Sequence, residues 1–109
     1  SKLSEAVDDL VNLEKLASEM GMSVSLTIYG HADAIGNEKR NYEISQARAK
    51  TVAAMLYSRG SYMPVTTYGL GAEHAAQGDV KTGEDPNSRR IELRVRLTGA
   101  GGTVPESLR

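Results

Sequence analysis

Two stretches of this chain alternate strictly between apolar and polar side chains, and they limit what it can fold into. Val24, Leu26 and Ile28 are separated by Ser25, Thr27 and Tyr29, and Ile91, Leu93, Val95 and Leu97 are separated by Glu92, Arg94 and Arg96. A period of two places the apolar members on one side of a strand, so each stretch needs an apolar cover on one face only. The cover is present in the sequence. Leu3, Val7, Leu10, Val11, Leu13, Leu16 and Met20 recur at helical spacing, with Glu5, Asp8, Asp9, Asn12 and Glu19 between them. This predicts a first helix from Ser4 to Met20, capped by Ser4 and stopped by Gly21.

The first strand ends at Gly30. Residues 34–40 are polar and contain Gly36, which reads as a loop or a loose first turn. A second helix follows to about Arg59 and closes at Gly60; its regular part begins at a Ser45 cap or earlier, near Glu38. Val65 to Leu70 is a short strand, and the polar, glycine-bearing stretch 73–88 is a surface loop with room for a helical turn. The order is therefore helix, strand, helix, strand, strand. It predicts an α+β two-layer sandwich, with two main helices packed on one face of a mixed sheet. A chain of 109 residues supports one such core, with a domain over 1–98 and a flexible tail over 99–109 that begins at Gly99.

The net charge is −1, and no basic block interleaves with aromatics. Arg89, Arg90, Arg94 and Arg96 fit a strand with a polar face, so no nucleic-acid partner is expected. Cysteine is absent, which removes disulfides and thiolate metal sites. No apolar run approaches membrane-spanning length, and an anchor or address would lie outside these residues.

The chemistry gathers in residues 30–56. Ile44, Arg48, Val52 and Leu56 are spaced four apart and would share one helix face, which places a guanidinium on an apolar line. A cation there needs an anion beside it. Asp33, just after a strand end, is the nearest in chain order. It could equally be an Asx-type turn residue. If Ser45 is the cap, Arg48 lies at the positive end of the helix dipole, and the need for an anion grows. That anion is Asp33, closing a structural salt bridge, or a ligand carboxylate. Asn41 is a local helix cap or a ligand contact.

Gly30-His31-Ala32-Asp33 with Gly36, Asn41, Ile44-Ser45 and Arg48-Ala49 resembles the OmpA-like C-terminal domain family, which includes Pal and MotB. Tyr68-Gly-Leu-Gly-Ala-Glu73 and Asn87-Ser-Arg-Arg-Ile-Glu-Leu-Arg-Val95 are similar to that family's Gly-x-Gly-x-Glu turn and closing Asn-Arg-Arg strand. The resemblance covers residues 4–97. It implies non-catalytic binding of peptidoglycan through the diaminopimelate residue of the stem peptide, anchoring a periplasmic domain of a bacterial cell-envelope, membrane-anchored protein to the cell wall. By the same resemblance Asp33 takes the ligand's side-chain ammonium and Arg48 its side-chain carboxylate, with Asn41 and Arg89 nearby. Ser88 stands where the family usually has Asn, and Ala32 where Thr is common. Similar domains usually open with a further strand; no strand-like run precedes the first helix here, so that strand is expected to lie upstream of these residues or the sheet to be completed differently.

His31 and Asp33 share a strand face, but even with His74 no cysteine or further histidine completes a zinc site, so neither metal nor cofactor is expected. Ser45 and Ser61 lack a nucleophile-elbow context, and Gly69-Leu-Gly71 lacks the Lys-Ser/Thr of a phosphate loop. The chain is read as a binding module and not an enzyme. The rival readings are an assembly or dimerisation module of the same fold with little peptidoglycan affinity, and a small cell-wall peptide hydrolase. Any homodimer is expected to be weak and to use a sheet edge or the exposed apolar side of the first helix.

Overall fold

The structure, a computed structural model, describes residues 2–32, 36–72 and 90–99. Its elements run α1 (Lys2–Glu19), β1 (Ser23–Gly30), α2 (Glu38–Ser58), β2 (Val65–Gly69) and β3 (Ile91–Thr98). The sheet order is β2-β1-β3. β1 pairs in parallel with β2, from Leu26 opposite Val65 to Gly30 opposite Gly69. It pairs antiparallel with β3, from Ser23 opposite Thr98 to Gly30 opposite Ile91. This is the mixed sheet under two helices that the alternation predicts. The expectations for the loop 73–88 and for the tail lie outside the described residues, Gly99 excepted.

The register explains the alternation. Val24, Leu26 and Ile28 stand in line with Leu97, Val95 and Leu93 on the helix-facing side. There Val24, Leu26 and Ile28 join Val7, Leu10, Ala17, Ala49, Val52, Leu56 and Met63 in one core, with Leu93 and Leu97 packed against it, while Val95 remains 42% exposed. Their neighbours Ser25, Thr27 and Tyr29 fall in line with Arg96, Arg94 and Glu92 on the open side. Among the described residues no helix is long and apolar enough to cross a membrane.

α2 differs from the sequence reading in its start and in its buried face. Its cap is Asn37, whose side chain accepts the Arg40 N–H at 3.1 Å, so the helix begins at Glu38 and the Ser45 alternative does not hold. Ser45 and Arg48 lie well inside the helix, and the dipole argument for an anion beside Arg48 lapses. The buried line is Asn41, Ser45, Ala49, Val52 and Leu56. Ile44 and Arg48 sit half-buried on its flank. Small and polar residues hold the inner face because the backbone of α2 rests directly on the strand ends, where a larger side chain has no room.

Arg59, the C-cap residue of α2, fastens the two helices. Its guanidinium donates to Ser4 O at 2.8 Å, Ser4 Oγ at 2.9 Å and Asp8 Oδ1 at 2.7 Å. Beyond it Gly60 takes a φ of 86°, the left-handed turn expected of a helix stop.

Candidate functional site

One end of the sheet is laced together by backbone hydrogen bonds from three segments. Leu70 N donates to Gly30 O at 2.9 Å, His31 N to Arg90 O at 2.9 Å, and Ala32 N to Gly71 O at 2.7 Å. The residues leaving β1, leaving β2 and entering β3 therefore share one rim, the end of a sheet where loops commonly gather functional groups. Asp33 follows Ala32 directly in the chain, and Arg89 precedes Arg90. Both lie outside the described residues.

The N-terminal half of α2 closes on this rim at van der Waals distance. A Cβ on Gly30 would stand 1.9 Å from the Ser45 carbonyl oxygen, and one on Gly69 would stand 2.6 Å from the Gln46 nitrogen. Glycine is required at both points by the approach of another backbone. Ser45, fully buried, ties the contact: its hydroxyl donates to Tyr42 O at 2.9 Å and accepts the Gly71 N–H at 2.9 Å. Removing that acceptor leaves a buried donor unpaired. Ser45→Ala is therefore expected to destabilise the domain by about 1–3 kcal/mol in urea denaturation; a midpoint equal to the parent's would show that water or a shifted loop replaces the bond.

Two of the four residues expected at the site can be placed. Arg48 reaches over the strand end, where its Nη1 donates to His31 O at 3.1 Å. That is its one hydrogen bond among the described residues, and a guanidinium has further N–H donors available for a planar anion. Asn41 is 7 % exposed and lies inside α2, so it is not the cap; Asn37 holds that position.

His31 adds a feature that the motif alone leaves undefined. Its side chain is buried, and Nε2 lies 3.3 Å from Glu92 Oε1. The other carboxylate oxygen of Glu92 accepts from Arg94 Nε at 2.6 Å. That hydrogen bond first, and then the charge of Arg94 and the contact with His31, hold Glu92 below its ordinary carboxylate pKa against the opposing effect of desolvation. The chain Arg94–Glu92–His31 thus runs from the open sheet face to the residue whose carbonyl positions Arg48.

A roomier cleft than the one at the rim lies elsewhere. It measures about 580 Å³ and is lined by Val11, Glu14, Met22, Tyr62 and Pro64 among others, at the opposite end of β1. Part of its wall is structural: Glu14 accepts from Ser61 Oγ at 2.8 Å and Tyr62 N at 2.9 Å. The placement of Arg48, and not cavity size, identifies the candidate site.

The sequence profile of the OmpA family matches residues 2–92. The chain belongs to the OmpA family. No curated protein matches it significantly. Among solved structures it is similar to the OmpA-like domain of FopA1 from Francisella tularensis, with a TM-score of 0.68 and 23% identity over 86% of this chain and 60% of that one. The peptidoglycan-associated lipoprotein from Burkholderia pseudomallei superposes with a TM-score of 0.69 at 22% identity, covering 88% of this chain and 79% of that one. The periplasmic domain of Helicobacter pylori MotB gives 0.64 at 16% identity, covering 84% and 60%. At these identities the structural likeness establishes the α+β fold of this OmpA-family chain, which spans 60% of the FopA1 structure.

Proposed function

We propose that this OmpA-family domain binds peptidoglycan through the diaminopimelate residue of the stem peptide and anchors a periplasmic, membrane-attached envelope protein to the wall. The observation that carries the reading is Arg48, whose Nη1 donates to His31 O at the rim, its one hydrogen bond among the described residues. It is held in place yet keeps donors for a carboxylate. Asp33, two residues beyond His31 in the chain, supplies an anion for the ligand's ammonium, and Asn41 and Arg89 contribute neighbouring polar contacts. The binding unit spans 1–98, with 99–109 as a tail. Family membership and the likeness to a peptidoglycan-associated lipoprotein support the reading.

Recognition by two opposite charges makes discrimination a matter of the unmatched group. A lysine-type stem peptide offers the ammonium without the carboxylate, and an amidated diaminopimelate offers a neutral amide; either leaves Arg48 without its charge-assisted partner. Affinity for both is expected to fall about 10- to 100-fold relative to free-acid diaminopimelate peptides in titration calorimetry. Co-sedimentation with purified sacculi tests the wall itself. Equal affinity for all three peptides would remove the proposed role of Arg48, and no retention on sacculi would remove the function.

A further inference from the structure

His31 is the first residue past β1, which ends at Gly30, and its carbonyl is the one that Arg48 is bonded to. Side chains beside it offer no hold, since Gly30 has none and Ala32 has only a buried methyl. Two main-chain bonds tie the residue: its own N–H donates to Arg90 O at 2.9 Å, and the Ala32 N–H donates to Gly71 O at 2.7 Å. Arg90 and Gly71 lie outside β3 and β2, so neither bond belongs to the regular ladder. The ring of His31 is thus the part of this stretch that can be held from the sheet itself.

The sheet does hold it. The side chain is 2% exposed, and Nε2 lies 3.3 Å from Glu92 Oε1. Glu92 stands on the β3 ladder opposite Tyr29, on the open side of the sheet. Its second oxygen accepts the Arg94 Nε–H at 2.6 Å. The Arg94 guanidinium lies 5.0 Å from the centre of the Tyr29 ring, and Tyr29 stacks on Tyr68 at 5.5 Å. The carboxylate cannot turn from His31 without giving up Arg94, which the aromatic pair helps to keep in place. Because a carboxylate offers only acceptors, the imidazole nitrogen facing it is the one that carries the proton.

We propose that Glu92 is a positioning residue for ligand binding: from the open face of the sheet it holds the His31 imidazole, and so fixes the carbonyl that seats Arg48 on the helix side. Ring and carbonyl hang on the same residue, and a rotation about the His31 N–Cα bond swings both together. With the ring held, the carbonyl keeps its direction, and the Arg48 guanidinium meets a ligand carboxylate already oriented. With the ring released, Arg48 keeps its charge and loses its orientation, which the ligand must then impose at a cost in affinity. Glu92 itself lies across the sheet from Arg48 and acts only through it. This inference rests on the reading of Arg48 as the residue that takes the ligand's carboxylate.

Two measurements on the whole chain test this, a titration with a free-acid diaminopimelate stem peptide and NMR spectra of the unliganded protein. Glu92→Ala is expected to weaken the peptide about 3- to 10-fold, the cost of ordering one long side chain. Glu92→Gln keeps the shape but has one acceptor oxygen where two are used, so its affinity should fall between the alanine variant and the parent. This second variant preserves the fold even if the first does not. Added to Arg48→Ala, Glu92→Ala should cause no further loss, because its effect passes through the side chain already removed. In the unliganded protein, rotation of the Arg48 guanidinium about its Nε–Cζ bond should be restricted, and it should become faster in Glu92→Ala. Losses that multiply in the double variant, a Glu92→Ala variant with the parent's affinity, or Arg48 signals that do not change in that variant would each overturn the proposal. A parent chain that binds no stem peptide would sink the functional reading, while the spectra, which need no ligand, would still decide whether Glu92 orients Arg48.

Discussion

Gly30→Ala is expected to be the most damaging single-methyl change in the domain. The added carbon would lie 1.9 Å from the Ser45 carbonyl oxygen and 2.8 Å from its carbon. The obstacle is backbone, so no side-chain rotation relieves it, and α2 must lift off the sheet. Overpacking a well-filled interior costs about 1–3 kcal/mol and occasionally more. Here the lift also strains the Ser45–Gly71 bond and the Arg48–His31 contact, so a loss of about 3 kcal/mol or more is expected, a large share of a small domain's stability. Urea denaturation measures it directly. A change below about 1 kcal/mol would mean that helix and strand separate without resistance. Gly69→Ala, at 2.6 Å from Gln46 N, should follow with a smaller loss.

Arg48→Ala is expected to have the largest effect on binding with a small effect on folding. Among the described residues, removing the guanidinium breaks one hydrogen bond to a carbonyl, worth about 1 kcal/mol of stability. If Arg48 holds the ligand carboxylate, its loss leaves that charge unpaired in a partly desolvated site. This should weaken sacculus binding by about 2–3 kcal/mol, or roughly 30- to 150-fold. Arg48→Lys should recover only part of the loss, because an ammonium cannot form the planar two-pronged contact. Asp33→Ala is expected to match it in binding. A variant that loses several kcal/mol of stability while retaining sacculus binding would reassign Arg48 to a purely structural role.

The helices and strands were legible wherever apolar residues kept a period. α1, β1 and β3 lie within two residues of their expected bounds because each buries one continuous face against one layer. The face of α2 was not legible by the same rule. Counting apolar residues selects Ile44, Arg48, Val52 and Leu56, yet the inner line runs through Asn41, Ser45 and Ala49. What decides it is the close approach at Gly30 and Gly69, a three-dimensional contact whose only signature in the chain is a glycine at each strand end. The start of α2 stayed open between a Ser45 cap and Glu38 for a related reason: Ser45 is a good capping residue by type, but its hydroxyl serves Gly71, and Asn37 caps a helix that begins at Glu38. Strand order was also out of reach, since alternation identifies a buried face without naming a neighbour. Arg48 was singled out through its motif and its place on an apolar helix line, yet in the fold it sits half-buried on the flank of α2 and not on the buried line.

The direct rest of α2 on the strand ends also bears on how a ligand would be met. Backbone touching backbone, with a buried hydroxyl pinning the contact, leaves this part of the rim little freedom to adjust. Under the proposed function, a guest arriving at Arg48 would meet a seat built in advance, and the ordering it must impose there would fall mainly on a single long side chain. Such a seat accepts many encounters at similar rates and separates right from wrong guests by how long each one stays. For the tether proposed above, dwell time is the property that matters.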